Sequence, residues 1–248
     1  MPLVSIIMPY YKKENFIKKS IDSILKQSFK NFEIIIVDDE ISDESNKTLK
    51  KIKRIDKRIK IIKNRKNLGA GQARNNGIKL ARGKYIAFCD CDDLWKKNKL
   101  RHQLKFMKKL DVEFSFTSYG IINSQGNITK VINAKSKMDF ESLVKSCDIG
   151  LSSVVLKKKI FKNLNLRFAN TKTKEDYILW LKLAQKGIKM YGINKQLSFW
   201  RKLDFSLSSS ILQKIFDGYR VYRTHLGYNI FKSLLCLLIL SFNAFLKK

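Results

Sequence analysis

Two short apolar runs constrain this chain most. Phe32–Val37 ends in Asp38 and Asp39, and Tyr85–Cys89 ends in Asp90, with Asp92 two residues on. Short runs rich in Ile, Val and aromatic residues form buried strands of a parallel sheet, and an open α/β sheet binds ligands outside the carboxyl ends of its strands. The four acids are therefore expected to share one crevice. In Asp90-Cys91-Asp92 the alternate residues leaving a strand can aim two carboxylates at one hard cation. Oxygen donors of this kind suit Mg2+ or Mn2+, and such sites commonly hold a substrate diphosphate as well.

The 248 residues, 44% of them apolar, suffice for one large α/β domain with a substantial core. Of the 51 basic residues behind the formal charge of +30, 41 are Lys, spread along the whole chain. Such a charge reads either as a Lys-rich solvated surface or as attraction to anionic lipid or a polyanion. Cys89, Cys91, Cys147 and Cys236 form no Cys-x-x-Cys pair and only two His are present. That argues against a zinc cluster and suits a reducing cytoplasm. The opening Met1–Pro9 lacks the basic region of a secretory signal and reads as a strand.

The order is β-α-β-α. Strands are expected at Leu3–Met8, Phe32–Val37, Ile59–Ile62, Tyr85–Cys89 and Glu113–Thr117, and helices at Glu14–Gln27, Asp43–Ile55, Gly71–Ala81 and Lys96–Leu110. This alternation predicts a doubly wound, mostly parallel sheet flanked by helices. Beyond residue 118 the expected elements are a hairpin about Asn123–Asn127 and helices at Phe140–Ser146 and Glu175–Lys186. No linker or repeat separates the halves, so the expected organisation is one domain over 1–209, with 1–118 a nucleotide-binding half and 119–209 the acceptor-side half. A helical tail covers 210–248. Its charge-free run Ser233–Leu246 has 14 residues, short of the roughly 20 that span a bilayer. The tail is expected to lie on a membrane surface or to pack on protein, which gives a cytoplasmic location, peripheral on the inner face of the plasma membrane.

Five ordered blocks carry a family resemblance: Val4-Ser-Ile-Ile-Met-Pro-Tyr-Tyr-Lys12, Ser20–Phe29, Phe32–Asp39, Asn67-Leu-Gly-Ala-Gly-Gln-Ala-Arg-Asn75 and Gly83–Asp93, with a sixth at Lys174-Glu-Asp-Tyr-Ile-Leu-Trp-Leu-Lys-Leu183. Together they resemble family 2 glycosyltransferases of the GT-A fold. The resemblance implies transfer of a sugar, with inversion, from a nucleotide-diphosphate donor such as a UDP-sugar to an acceptor hydroxyl, in the hexosyltransferase class EC 2.4. It further implies a divalent metal, a glycan or lipid-linked acceptor, and a place in cell-surface polysaccharide or lipopolysaccharide assembly.

By that resemblance Pro9, Tyr10 and Tyr11 help hold the nucleoside, Asp39 accepts a hydrogen bond from the base, and Asp38 supports the loop. Arg74 approaches the donor nucleotide, Asp92 is the metal ligand, and Asp90 contacts ribose or a metal-bound water. The general base falls at Asp176, with Glu175 its competitor. Each has a plainer reading. Tyr10 and Tyr11 could be core aromatics, Arg74 a solvated helix residue, and Thr173-Lys-Glu-Asp176 a capping box. Asp93 is expected to cap a helix starting near Leu94 or Trp95, and the apolar positions Ile178–Leu183 to be core. Phe199–Ser208 resembles a loop over the donor, though without the His that many relatives carry there. Any contribution to the diphosphate falls to Arg201 and Lys202.

Other classes fit less well. Gly69-Ala-Gly-Gln-Ala-Arg74 follows the third strand, not the first, and has no third glycine, so it is not a dinucleotide fingerprint. A nucleotidyltransferase, which uses similar carboxylate and metal chemistry, would carry a Gly-rich loop after the first strand, where Pro9–Lys13 has no Gly. A nucleic-acid-binding protein would cluster its basic residues on one face, against the dispersed Lys seen here.

Overall fold

The computed structural model describes residues 1–203 and 211–246. Its first half alternates as expected: β1 (Val4–Tyr10), α1 (Glu14–Leu25), β2 (Phe32–Asp38), α2 (Asp43–Lys53), β3 (Ile59–Lys63), α3 (Ala70–Leu80) and β4 (Tyr85–Phe88). Then come β5 (Leu94–Trp95), α4 (Lys99–Lys109), β6 (Phe114–Ile122), β7 (Ile128–Ile132), β8 (Lys137–Met138) and α5 (Phe140–Val144). The remainder is β9 (Val155–Lys157), α6 (Lys159–Asn163), α7 (Glu175–Gln185), β10 (Met190–Arg201), α8 (Ile211–Arg220) and α9 (Ile230–Phe245), with a π-helical turn Val221–His225 before α9.

Period-two alternation on the central strands builds two layers. Ile6, Met8, Ile34 and Ile36 pack with Ile17, Ile21 and Ile24 of α1 and with Leu49 of α2, while Ile7, Ile35 and Val37 face α3 and α7 on the other side. The α1 positions recur at helical spacing. In α2 the Ser42 hydroxyl accepts from Ser45 N and the Ser45 hydroxyl accepts from Ser42 N, a reciprocal cap. Trp180 of α7 is fully buried, its ring edge-on to Phe114 at 5.0 Å between centroids and to Phe168 at 6.4 Å. The α7 apolar positions are core, as the sequence suggested.

The sheet order is β3-β2-β1-β4-β9-β6-β10-β5. The first four strands are all parallel. The second half departs from the expected pattern, because β9 inserts antiparallel between β4 and β6. Its three residues are too few to show a period. The twelve-residue β10 runs parallel to β6 with register shifts around Gln196, and those shifts break the alternation that would have marked it. The hairpin of β6 and β7 turns at Asn123–Asn127 as expected.

Candidate active site

The parallel half of the sheet brings the sequence-predicted acids to its carboxyl edge. β1 ends at Tyr10, β2 at Asp38, and the chain leaving β4 carries Asp90 and Asp92. Opposite them, Glu175 and Asp176 open α7.

Arg74 ties the two groups together. Its Nη2 lies 2.8 Å from Asp90 Oδ1 and its Nη1 2.6 Å from Glu175 Oε1, and the side chain is almost wholly buried. Burial opposes its charge, yet Asp90 and Glu175 more than offset that and hold its pKa above the ordinary arginine value. A solvated helix arginine is thereby ruled out. The approach of α3 to α7 depends on Gly71, where a Cβ would stand 2.7 Å from Ala169 O and 3.4 Å from Glu175 Cβ. Asp39 fixes the start of α3: Oδ1 accepts from Asn64 Nδ2 at 2.7 Å and Leu68 N at 2.9 Å, and Oδ2 from Gly69 N at 2.8 Å. Gly69 has φ of 81°, a left-handed conformation suited to glycine. Asp38 accepts from Ser45 Oγ at 3.0 Å and from Glu40 N at 3.2 Å, which braces the loop after β2.

The capping box that is the plainer reading of Thr173–Asp176 does not form. Lys174 occupies the N-cap position in a left-handed conformation without a side-chain bond, and Thr173 Oγ1 donates instead to Asp217 Oδ2 at 2.5 Å. Asp176 keeps one local bond, accepting from Tyr177 N at 2.7 Å. Burial, then the neighbouring Glu175 charge, raises its pKa to about 6, against the opposing Arg74. Glu175 is held by Arg74, so of the two acids Asp176 is the less engaged. Near them stands Tyr119, which the sequence did not single out. Burial pushes its hydroxyl pKa up, with the charges of Asp148, Asp176 and Asp93 contributing, and a Cβ on Gly150 would press on its ring at 2.9 Å.

Asp92 Oδ2 pairs with Lys13 Nζ at 2.7 Å. Burial raises the Asp92 pKa, Lys13 pulls it back, and Asp90 adds to the rise. Asp93 does not cap a helix. Leu94–Trp95 is extended and pairs with β10, and α4 starts only at Lys99. The wholly buried Asp93 carboxylate accepts from Ser152 Oγ at 2.5 Å and Arg201 N at 2.9 Å. Ser152 Oγ in turn accepts from Asp90 N at 3.1 Å, so Asp93 and Ser152 pin the loop that carries Asp90 and Asp92.

Arg201 is likewise structural. Its Nε donates to Asp92 O at 2.9 Å and its Nη1 to Asn123 O at 2.8 Å and Ser124 O at 3.0 Å, and the side chain is buried. The expected contribution of Arg201 to the diphosphate meets this geometry: its Nε and Nη1 are already engaged by backbone carbonyls. Lys202 is exposed, and Asp204–Ser208 of the expected loop lie outside the described residues. Pro9 is half-buried in β1. Tyr10 is wholly buried against the α1–α2 layer, while Tyr11 is exposed with Lys12 Nζ 5.5 Å from its ring centroid. Of the two tyrosines, Tyr11 is the one whose ring reaches the surface.

The donor set suits a hard cation. The side chains of Asp90 and Asp92 keep 30% and 12% exposure, and a dication would offset the burial that chiefly raises the Asp92 pKa, along with the Asp90 charge that adds to it. Among the described residues no three His, Cys, Asp or Glu side chains converge. The protein would thus supply few ligands and leave the rest to phosphate oxygens and water, a common arrangement for Mg2+.

Residues 5–164 match the family described as glycosyl transferase family 2, and the chain belongs to that family. It is a glycosyltransferase. It is 35% identical over 247 residues to the UDP-Glc:alpha-D-GlcNAc-diphosphoundecaprenol beta-1,3-glucosyltransferase WfaP of Escherichia coli, covering 100% of this chain and 96% of that one. The fold is that of S. aureus TarS 1–349 solved in complex with UDP-GlcNAc, with a TM-score of 0.77 at 20% identity over 97% of this chain and 71% of that one. It is also that of the mannosyltransferase PcManGT from Pyrobaculum calidifontis solved with GDP-Man and Mn2+, with a TM-score of 0.71 at 13% identity over 92% and 65%.

Proposed function

We propose that this protein is an inverting, metal-dependent glycosyltransferase. It moves a sugar from a nucleotide-diphosphate donor, a UDP-sugar, to a hydroxyl of a lipid-linked glycan in cell-surface polysaccharide assembly. The observation that carries this reading is the Arg74 bridge, which places Asp90 and Glu175 on one guanidinium and so sets the donor acids against the α7 acids. The relative that acts on a diphosphoundecaprenol acceptor supports the acceptor class.

The roles follow from position. Residues 1–118 bind the nucleotide, with Tyr11 stacking on the base and Asp39 accepting its N–H. Asp39 already takes three protein hydrogen bonds, but a carboxylate has about four lone-pair sites. Asp92 would hold Mg2+ or Mn2+, with Asp90 contacting the ribose or a metal-bound water, and the bound ion would supply positive charge to the diphosphate of the departing nucleotide. Arg74 keeps Asp90 oriented. In the half formed by residues 119–209, Asp176 takes the proton of the acceptor hydroxyl as that oxygen attacks the anomeric carbon from the face opposite the diphosphate. A base with a pKa near 6 is ionised at neutral pH yet still basic enough to accept the proton.

Lys13 and the cation compete for one carboxylate, since the 2.7 Å pair at Asp92 must open for a metal to bind there. Asp92→Ala is expected to abolish Mn2+-dependent UDP binding in calorimetry. Lys13→Met is expected to raise Mn2+ affinity several-fold, read by electron paramagnetic resonance of free Mn2+ without nucleotide. Unchanged UDP affinity in Asp92→Ala would remove Asp92 from the site, and unchanged Mn2+ affinity in Lys13→Met would end the competition.

A further inference from the structure

We infer that the outer faces of α8 and α9 form a binding surface for an anionic lipid bilayer, fastened to the turn that carries Glu175 and Asp176. α9 turns only a narrow stripe inward, burying Ser233, Cys236 and Leu240. Outward it shows Ile230, Phe231, Leu234, Leu235, Leu238, Phe242 and Phe245 at helical spacing, with Phe231 86% exposed. α8 adds Leu212, Ile215 and Phe216, with Leu212 80% exposed. The helices touch where a Cβ on Gly218 would meet Leu237 Cδ1 at 2.9 Å. A contiguous apolar surface of this extent is unusual on a monomeric soluble protein and marks an interaction site.

Charge selects the occupant. Residues 211–248 carry Lys214, Arg220, Arg223, Lys232, Lys247 and Lys248 against the single acid Asp217, and Asp217 is buried against Thr173. Aromatic and aliphatic side chains flanked by basic ones favour the boundary of an anionic bilayer. A second copy would bring like charges together. Among the described residues no helix is long and apolar enough to cross a membrane, and α9, with 16 residues, is about 24 Å long, which suits lying in the surface plane.

The attachment to the site is specific. Besides the Thr173–Asp217 bond, Tyr177 and Tyr222 pair through their hydroxyls at 3.1 Å, and Asn243 Nδ2 donates to Lys145 O at 2.9 Å. Thr173 and Tyr177 flank Glu175 and Asp176. Seating α8 and α9 on a bilayer therefore holds the α7 acids at a fixed attitude to the surface, where an acceptor whose lipid stays in the membrane presents its hydroxyl. That last step rests on the proposed function, whereas bilayer binding does not.

Flotation of the full chain with vesicles of phosphatidylglycerol and phosphatidylcholine, without nucleotide or metal, tests the surface by itself. Most of the protein is expected to float with anionic vesicles, with binding reduced on pure phosphatidylcholine and at high salt. The variants Phe231→Ser/Leu235→Ser/Leu238→Ser and, separately, Leu212→Ser/Phe216→Ser are expected to lose at least ten-fold in vesicle affinity with an unchanged circular dichroism melt. Wild-type protein that stays at the bottom of the gradient would overturn the proposal. So would variants that float as well as wild type, or a wild-type dimer in light scattering that the same variants dissolve without any vesicle binding.

Discussion

Asp176→Asn is expected to lower sugar transfer by roughly 100-fold or more while leaving nucleotide affinity nearly unchanged, because the proton moves only in the transition state. The same change should not harm the fold. A carboxyl whose folded pKa is raised to about 6 favours the folded state only while protonated. That contribution disappears as the pH climbs from the unfolded value near 4 through 6, and above it the buried charge is a net cost. The amide carries no such cost and still accepts from Tyr177 N, so the variant should gain about 1–3 kcal/mol of stability at pH 8 and little at pH 4. In the wild type the acid limb of the rate profile should fall near pH 6. A variant that transfers normally, or melts lower at pH 8, would return Asp176 to a structural role, and Glu175→Gln would then be the next substitution to assay.

Arg74→Met is expected to be the most destabilising single change at the site. It leaves the Asp90 and Glu175 carboxylates without the guanidinium that now joins them, and breaking a buried ion pair costs about 3–5 kcal/mol. For a chain of this size that lowers Tm by roughly 6–20 °C. The double variant Arg74→Met/Glu175→Gln should recover part of the loss, since one stranded charge is gone. Arg74→Lys should not restore the site, because an ammonium cannot present the two divergent donors of the fork. Thermal melts of the four proteins decide this: a drop of less than about 2 °C in Arg74→Met would mean that the bridge contributes little.

The first half was legible because its signals are local. Apolar runs ending in acids mark parallel strands and their ligand edge without knowledge of the rest, and Asp38, Asp39, Asp90 and Asp92 sit at that edge. The nearly unbroken apolar run Tyr177–Leu183 likewise placed α7 in the core. Long-range features were hidden. The place of Asp93 depends on Ser152 and Arg201, 59 and 108 residues away, and adjacent acids before Leu94 look like a cap when those partners are unseen. Thr173 bonds to Asp217, 44 residues on, and that distant partner is why the local Thr-x-x-Asp pattern forms no cap. The β9 insertion and the Lys13–Asp92 pair left no periodic trace at all. Family resemblance supplied what spacing could not, the expected roles of Arg74 and Asp176, and the fold sets Arg74 between Asp90 and Glu175.

The most direct test of the account is the product itself. The purified protein would be incubated with Mn2+, a panel of α-linked UDP-sugars and an N-acetylglucosaminyl diphospholipid, and UDP release and the anomeric configuration of the new bond would be measured together. The account predicts UDP release matched by a β-linked product with at least one donor, absent in Asp92→Ala and reduced by roughly 100-fold in Asp176→Asn. An α-linked product, or full activity in either variant, would contradict it.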